Sequence, residues 1–133
     1  MGLTGKVCII TGAGSGIGRA TAHQMASEGV KIALVGRTFS KVNLVKSELE
    51  SAGGTCESFG LDVSDQRAVE KMVKTVIQKF GRVDILLNNA GHSSIHRRLL
   101  STTPEDITAV VVVTELTLAA ARDLYDAFLQ HGL

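Results

Sequence analysis

The chain has 133 residues, 44% of them hydrophobic and 20% charged, with fourteen Lys and Arg against thirteen Asp and Glu. That length and balance fit one globular domain with a core of its own. A net charge of +1 excludes a nucleic-acid binder that works by counterion release, and no apolar run approaches the roughly 18 residues of a membrane span.

The opening residues Met1–Lys6 lack the apolar segment of a signal peptide, so the expected location is cytoplasmic. Cys8 and Cys56 are too few for a disulfide framework or, by themselves, a zinc site. Fourteen Gly against one Pro is the unusual balance, and the placement of those glycines carries the information.

Val7–Ile10 is a short continuous apolar run, as in a strand covered on both faces. A glycine cluster follows it, then a helical stretch from about Ile17 to Glu28. Ile32–Val35 reads as a second buried strand, and Ser40–Ala52 as a helix with Val42, Val45 and Leu49 on one face. Thr55–Leu61 reads as a third strand. Glu57 and Ser58 make it more polar than the first two, which suits a sheet edge. Ser64 or Asp65 caps a helix to about Phe80, with the apolar stripe Val69, Met72, Val73, Val76, Ile77 and Phe80. Val83–Leu87 is a fourth strand. A polar loop follows, and Thr103-Pro104 opens a last helix that can run to about Gln130. Strands alternating with helices predict a parallel sheet covered on both faces. Right-handed crossovers give the strand order 3-2-1-4, a Rossmann-type three-layer α/β sandwich.

Between the first strand and first helix stands Thr11-Gly12-Ala13-Gly14-Ser15-Gly16-Ile17-Gly18. A phosphate can approach the backbone closely where there is no Cβ. The helix N-terminus behind it offers free N–H groups and a positive dipole end. The spacing G-x-G-x-x-G/A fails here, while G-x-x-x-G-x-G fits at Gly12, Gly16 and Gly18. There is no Gly-Lys-Ser/Thr, which excludes an NTPase P-loop.

This loop resembles the cofactor loop of the short-chain dehydrogenase/reductase family. Three further features match in order: Asp62-Val63 after the third strand, Phe80-Gly81-Arg82-Val83-Asp84-Ile85-Leu86, and Asn88-Asn89-Ala90-Gly91 after the fourth strand. The resemblance covers about Lys6 to Ile107. It implies a dinucleotide site made by Gly12, Ser15, Gly16, Ile17 and Gly18, by Asp62 and Val63 at the adenine, and by Asn89, Ala90 and Gly91. Asp62 can equally serve as a turn or cap residue for the helix that follows. Arg37 bears on the cofactor. NAD enzymes place a carboxylate about 20 residues past the loop, on the ribose 2′-OH; here that place is Gly36, followed by Arg37. A guanidinium pairs with a 2′-phosphate, so NADP(H) is expected over NAD(H).

The family's chemistry is hydride transfer at a carbonyl or alcohol carbon. A Tyr acts as acid–base, a Lys four residues on lowers its pKa, and a Ser and a helix-four Asn assist. Here the sole Tyr is Tyr125 and four residues on stands Leu129, while Thr114 occupies the expected place of the Asn. No catalytic residue transfers. The segment 111–133 reads as a divergent helix, and the chain ends about where a fifth strand would begin. A truncated product, spliced or frameshifted near Val110, and a diverged short member both fit. A small-molecule substrate is expected only in a full-length form. The alternative is a non-catalytic nucleotide-binding or interaction module that associates through the open edge of the fourth strand, and a third reading is an inert fragment. His92 and His96 read as solvated loop residues.

Overall fold

The computed structural model describes residues 2–90. In chain order the elements are β1 (Val7–Thr11), α1 (Gly16–Ser27), β2 (Lys31–Gly36), α2 (Phe39–Ser51), β3 (Cys56–Gly60), α3 (Gln66–Phe80) and β4 (Ile85–Leu87). The sheet order is β3-β2-β1-β4, and every pairing is parallel. The expected strand order is therefore the observed one. The helix expected over 103–130 and the divergent segment 111–133 lie outside the described residues.

Alternation along the strands divides the core in two. Val7, Ile9, Ala33 and Val35 meet Val69, Met72, Val73 and Val76 of α3 on one face. Cys8, Ile10, Ile32 and Leu34 meet Ala22 of α1 and Val42, Val45 and Leu49 of α2 on the other. Successive strand side chains point to opposite faces, so a run apolar at every position needs cover on both. Each fully buried Val, Leu or Ile contributes about 1.5–3 kcal/mol relative to exposure. Burial pushes the Cys8 thiol up to about 12, which leaves it a small core side chain with no thiolate chemistry at neutral pH.

The fourth strand is shorter than the expected Val83–Leu87. Its first rung is made partly by a side chain: the Asp84 N–H donates to the Val7 carbonyl at 2.9 Å, and the Val7 N–H donates to Asp84 Oδ2 at 2.9 Å. The carboxylate takes the place of a backbone acceptor, and regular pairing begins at Ile85 opposite Cys8. Asp65, the second of the two cap candidates, caps α3; its Oδ1 accepts the Ala68 N–H at 3.1 Å.

β3 is an edge strand, as its polarity predicted. Glu57 closes that edge. Its carboxylate accepts the Ser58 N–H at 3.1 Å, Lys46 of α2 at 2.8 Å and Lys79 of α3. One acidic side chain thus ties the helices of both faces across the open side of the sheet.

Candidate dinucleotide-binding site

All four strands run parallel, so their carboxyl ends share one side of the sheet. The chain turns outward from β1 in two directions, to β2 and to β4. Open α/β sheets leave a ligand crevice at such a switch point.

The loop from β1 to α1 is bound to the end of β4. Thr11 Oγ1 accepts the N–H groups of Asn89 at 3.0 Å and Ala90 at 2.9 Å. The Asn89 side-chain amide donates to the Gly12 carbonyl at 3.2 Å. A Cβ on Gly18 would lie 2.2 Å from the Gly12 oxygen and 2.6 Å from Asn89 Nδ2. Gly12 has φ +64, and its Cβ would crowd Asn89 and Ala90 at 3.0–3.1 Å. Gly12 and Gly18 are therefore required by the packing of three backbone segments.

Gly16 differs. It has φ +54 and a Cβ there would meet nothing within 4 Å. It opens α1, and the N-cap Ser15 makes no side-chain bond to the first turn. The first N–H groups of a helix have no intrahelical acceptor, so those of Gly16, Ile17 and Gly18 are left for a ligand or solvent. Ile17 is 75% exposed beside them. This open, uncapped helix start suits a pyrophosphate, which accepts N–H groups and favours the positive dipole end.

Two cations stand near. Arg19 on α1 is engaged: its guanidinium is bidentate to Glu48 of α2, and His23 Nε2 joins the same carboxylate at 2.8 Å. Hydrogen bonds from Arg19 and then His23 hold the Glu48 carboxyl below its ordinary range. Arg37, just past β2, is exposed and bonds to no described side chain. Its charge is felt at Asp62. The Asp62 carboxyl is held below its ordinary value by the Ser64 N–H, then by the Ser64 hydroxyl, with a smaller contribution from the Arg37 charge.

Asp62 Oδ1 accepts the Ser64 N–H at 2.9 Å and its hydroxyl at 2.7 Å. The turn role weighed for this residue is thus real, and it uses one of two carboxylate oxygens. Val63 packs in part against the α3 side of the core. Gly12, Ser15, Arg37, Asp62, Val63, Asn89 and Ala90 lie in the loops leaving the carboxyl ends of the strands, and Gly16, Ile17 and Gly18 form the first turn of α1. Gly91, His92, His96, Thr114 and Tyr125 lie outside the described residues.

Thr11 is a site residue that the glycine motif does not single out. The available signal for Thr11 was a hydroxyl residue at the end of an otherwise apolar strand, where a buried hydroxyl needs partners. Among the described residues no cluster of three or more His, Cys, Asp or Glu could hold a metal, and no helix is long and apolar enough to cross a membrane.

A parallel 3-2-1-4 sheet with an uncapped, glycine-lined helix start at its switch point defines a nucleotide-binding α/β protein. The family model described as short chain dehydrogenase matches residues 6–130, and the chain belongs to that family. Among curated proteins it is 44% identical over 93 residues to the 3-oxoacyl-[acyl-carrier-protein] reductase FabG of Thermotoga maritima, covering 68% of this chain and 37% of that protein. Two solved structures are each 34% identical to it. One is a metagenomic short-chain oxidoreductase in complex with NADP, with TM-score 0.75, covering 94% of this chain and 59% of that one. The other is a 3-ketoacyl-(acyl-carrier-protein) reductase from Brucella melitensis complexed with NADH, with TM-score 0.82, covering 98% and 52%. The chain thus spans little more than a third of the curated relative and roughly half of each solved one.

Proposed function

We propose that this chain supplies the NADP(H)-binding portion of a short-chain oxidoreductase acting on a carbonyl/alcohol pair. One observation carries the cofactor choice: the end of β2 presents Gly36 and the exposed Arg37, where an NAD enzyme presents a carboxylate. Bound nicotinamide supplies or accepts a hydride. Around it, the first-turn N–H groups at Gly16 and Ile17 bind the pyrophosphate. Arg37 pairs with the 2′-phosphate. The free oxygen of Asp62 accepts from the adenine amino group. Asn89 and Ala90 line the crevice, held by Thr11.

The sequence favours a second element of this reading. Tyr125 is followed four residues on by Leu129, and Thr114 stands where an Asn is expected. No Tyr–Lys pair is present to exchange a proton with substrate oxygen. In this reading the 133-residue chain binds the dinucleotide without turnover, as a nucleotide-binding module. In the same reading it associates with another chain through the β4 side of the sheet.

Paired fluorescence titrations with NADPH and NADH test this, with turnover measured over aldehydes, ketones and quinones. Arg37→Asp weakens NADPH by about 10- to 100-fold, the worth of one charge-assisted hydrogen bond, and leaves NADH nearly unchanged. Equal losses for both would defeat the NADP assignment. Turnover by the 133-residue chain would defeat the non-catalytic one.

A further inference from the structure

We propose that Val42 is a positioning residue that sets dinucleotide preference, by filling the space an acidic side chain at position 36 would need. The proposal rests on the dinucleotide reading above and deepens it.

The start of α2 is seated on three glycines from three different segments. A Cβ on Gly36, the last residue of β2, would stand 2.8 Å from Val42 Cγ1. A Cβ on Gly14, in the loop between β1 and α1, would stand 3.6 Å from the same methyl and 3.0 Å from Lys41 Cβ. A Cβ on Gly60, the last residue of β3, would stand 2.7 Å from Phe39 Cβ. Gly36 and Gly60 are register partners across the sheet. The Val42 methyl therefore lies in a slot between the glycine loop and the end of β2.

That methyl has no easy retreat. Val42 is fully buried, and a β-branched side chain in a helix is held to one χ1 rotamer. Phe39 and Lys41 lie against Gly60 and Gly14 in the same way, so a shift of the first turn of α2 would give up close contacts at all three glycines. A Cβ at position 36 requires the Val42 methyl, and with it the start of α2, to shift. An Asp or Glu there, the group that binds an unphosphorylated ribose, is excluded by packing. The charge at this end of the sheet then falls to Arg37, which is exposed and sterically free. Preference for the phosphorylated dinucleotide is in this view a consequence of how α2 is seated.

The test is a double-mutant cycle on the 133-residue chain: wild type, Val42→Ala, Gly36→Asp and Gly36→Asp/Val42→Ala. Each is melted without ligand and titrated with NADPH and NADH. Gly36→Asp alone lowers Tm by about 5 °C or more and weakens both dinucleotides together, since the helix is displaced. On the Val42→Ala background the same substitution costs less than half as much Tm. The NADPH-to-NADH affinity ratio of that double variant falls by at least about tenfold. Gly36→Ala carries the Cβ without the charge, and supplies the same melting cycle should Gly36→Asp fail to fold. An equal Tm loss on both backgrounds overturns the proposal. So does a single Gly36→Asp variant whose affinity ratio shifts as far as the double variant's. Wild-type protein that binds neither dinucleotide overturns the reading of the site and this preference with it. The melting cycle would still separate that outcome from a failure of the packing argument.

Discussion

The hydroxyl of Thr11, at the end of β1, accepts the backbone N–H of Asn89, 78 residues further along the chain, at 3.0 Å. The same oxygen takes the N–H of Ala90 at 2.9 Å. Thr11 is 1% exposed, and both bonds are partly buried. A single hydroxyl thus fixes the exit of β4 against the entry to the glycine loop. Thr11→Val keeps the shape and removes the acceptor. A buried donor that loses its acceptor costs about 1–3 kcal/mol, and Asn89 loses the Thr11 oxygen here. Urea denaturation should show a loss in or above that range for Thr11→Val, and a much smaller one for Thr11→Ser.

Gly16 and Gly18 are two residues apart and should fail in different ways. Gly18→Ala drives a Cβ to 2.2 Å from the Gly12 oxygen. Relief requires backbone movement, at about 1–3 kcal/mol for overpacking. Gly16→Ala meets open space but keeps φ +54, at about 1–2 kcal/mol for a left-handed non-glycine residue. Its methyl stands where the phosphates are proposed to approach. Thermal melts and NADPH titrations on both variants separate the two. Gly18→Ala should lose the more stability. Gly16→Ala should lose more than about tenfold in affinity at smaller cost to Tm.

Acid should weaken the junction of β1 and β4. Partial burial raises the Asp84 carboxyl, but the Val7 N–H, the Arg82 guanidinium bond and the Arg82 charge outweigh it and hold it below its ordinary value. A carboxyl with a lowered folded pKa stabilises above its unfolded pKa. That contribution is lost as pH falls through the folded value. Stability measured by urea should therefore decline below about pH 4. Asp84→Asn should be less stable at pH 7 and show a shallower acid decline. An identical pH slope in the variant would show that Asp84 contributes nothing to it.

Glu57 should protect the β3 edge from other strands. Its carboxylate holds the Ser58 N–H at 3.1 Å and bridges Lys46 and Lys79. Edge donors left open are templates for added strands. Glu57→Ala should raise the fraction of oligomer in size-exclusion chromatography and speed amide exchange at Ser58. Unchanged exchange would show that the carboxylate does not shield this edge.

Much of this molecule is legible along the chain. The apolar runs Val7–Ile10 and Ile32–Val35 marked strands covered on both faces, and both are buried throughout. The stripe Val69, Met72, Val73 and Val76 marked the buried side of α3. Glu57 and Ser58 marked the edge strand. Such signals are readable because they arise from neighbours at fixed periods of 2 and 3.6 residues. The boundaries of β4 were less legible. Val83 is as buried as a strand residue, yet Asp84 spends its carboxylate on Val7, a relation 77 residues long.

Sequence alone determined the alternation of strands and helices, the sheet order that right-handed crossovers allow, the glycine loop at a helix start, and a glycine followed by a cation at the end of the second strand. Tertiary structure decided what each glycine is for. Gly12 and Gly18 admit Asn89, Gly14 admits Lys41, Gly36 admits Val42, Gly60 admits Phe39, and Gly16 alone in the loop faces open space with a left-handed backbone. The physical reason is range. A motif records which positions lack a Cβ, while the atom that would fill that space comes from a distant part of the chain and arrives only when the sheet closes.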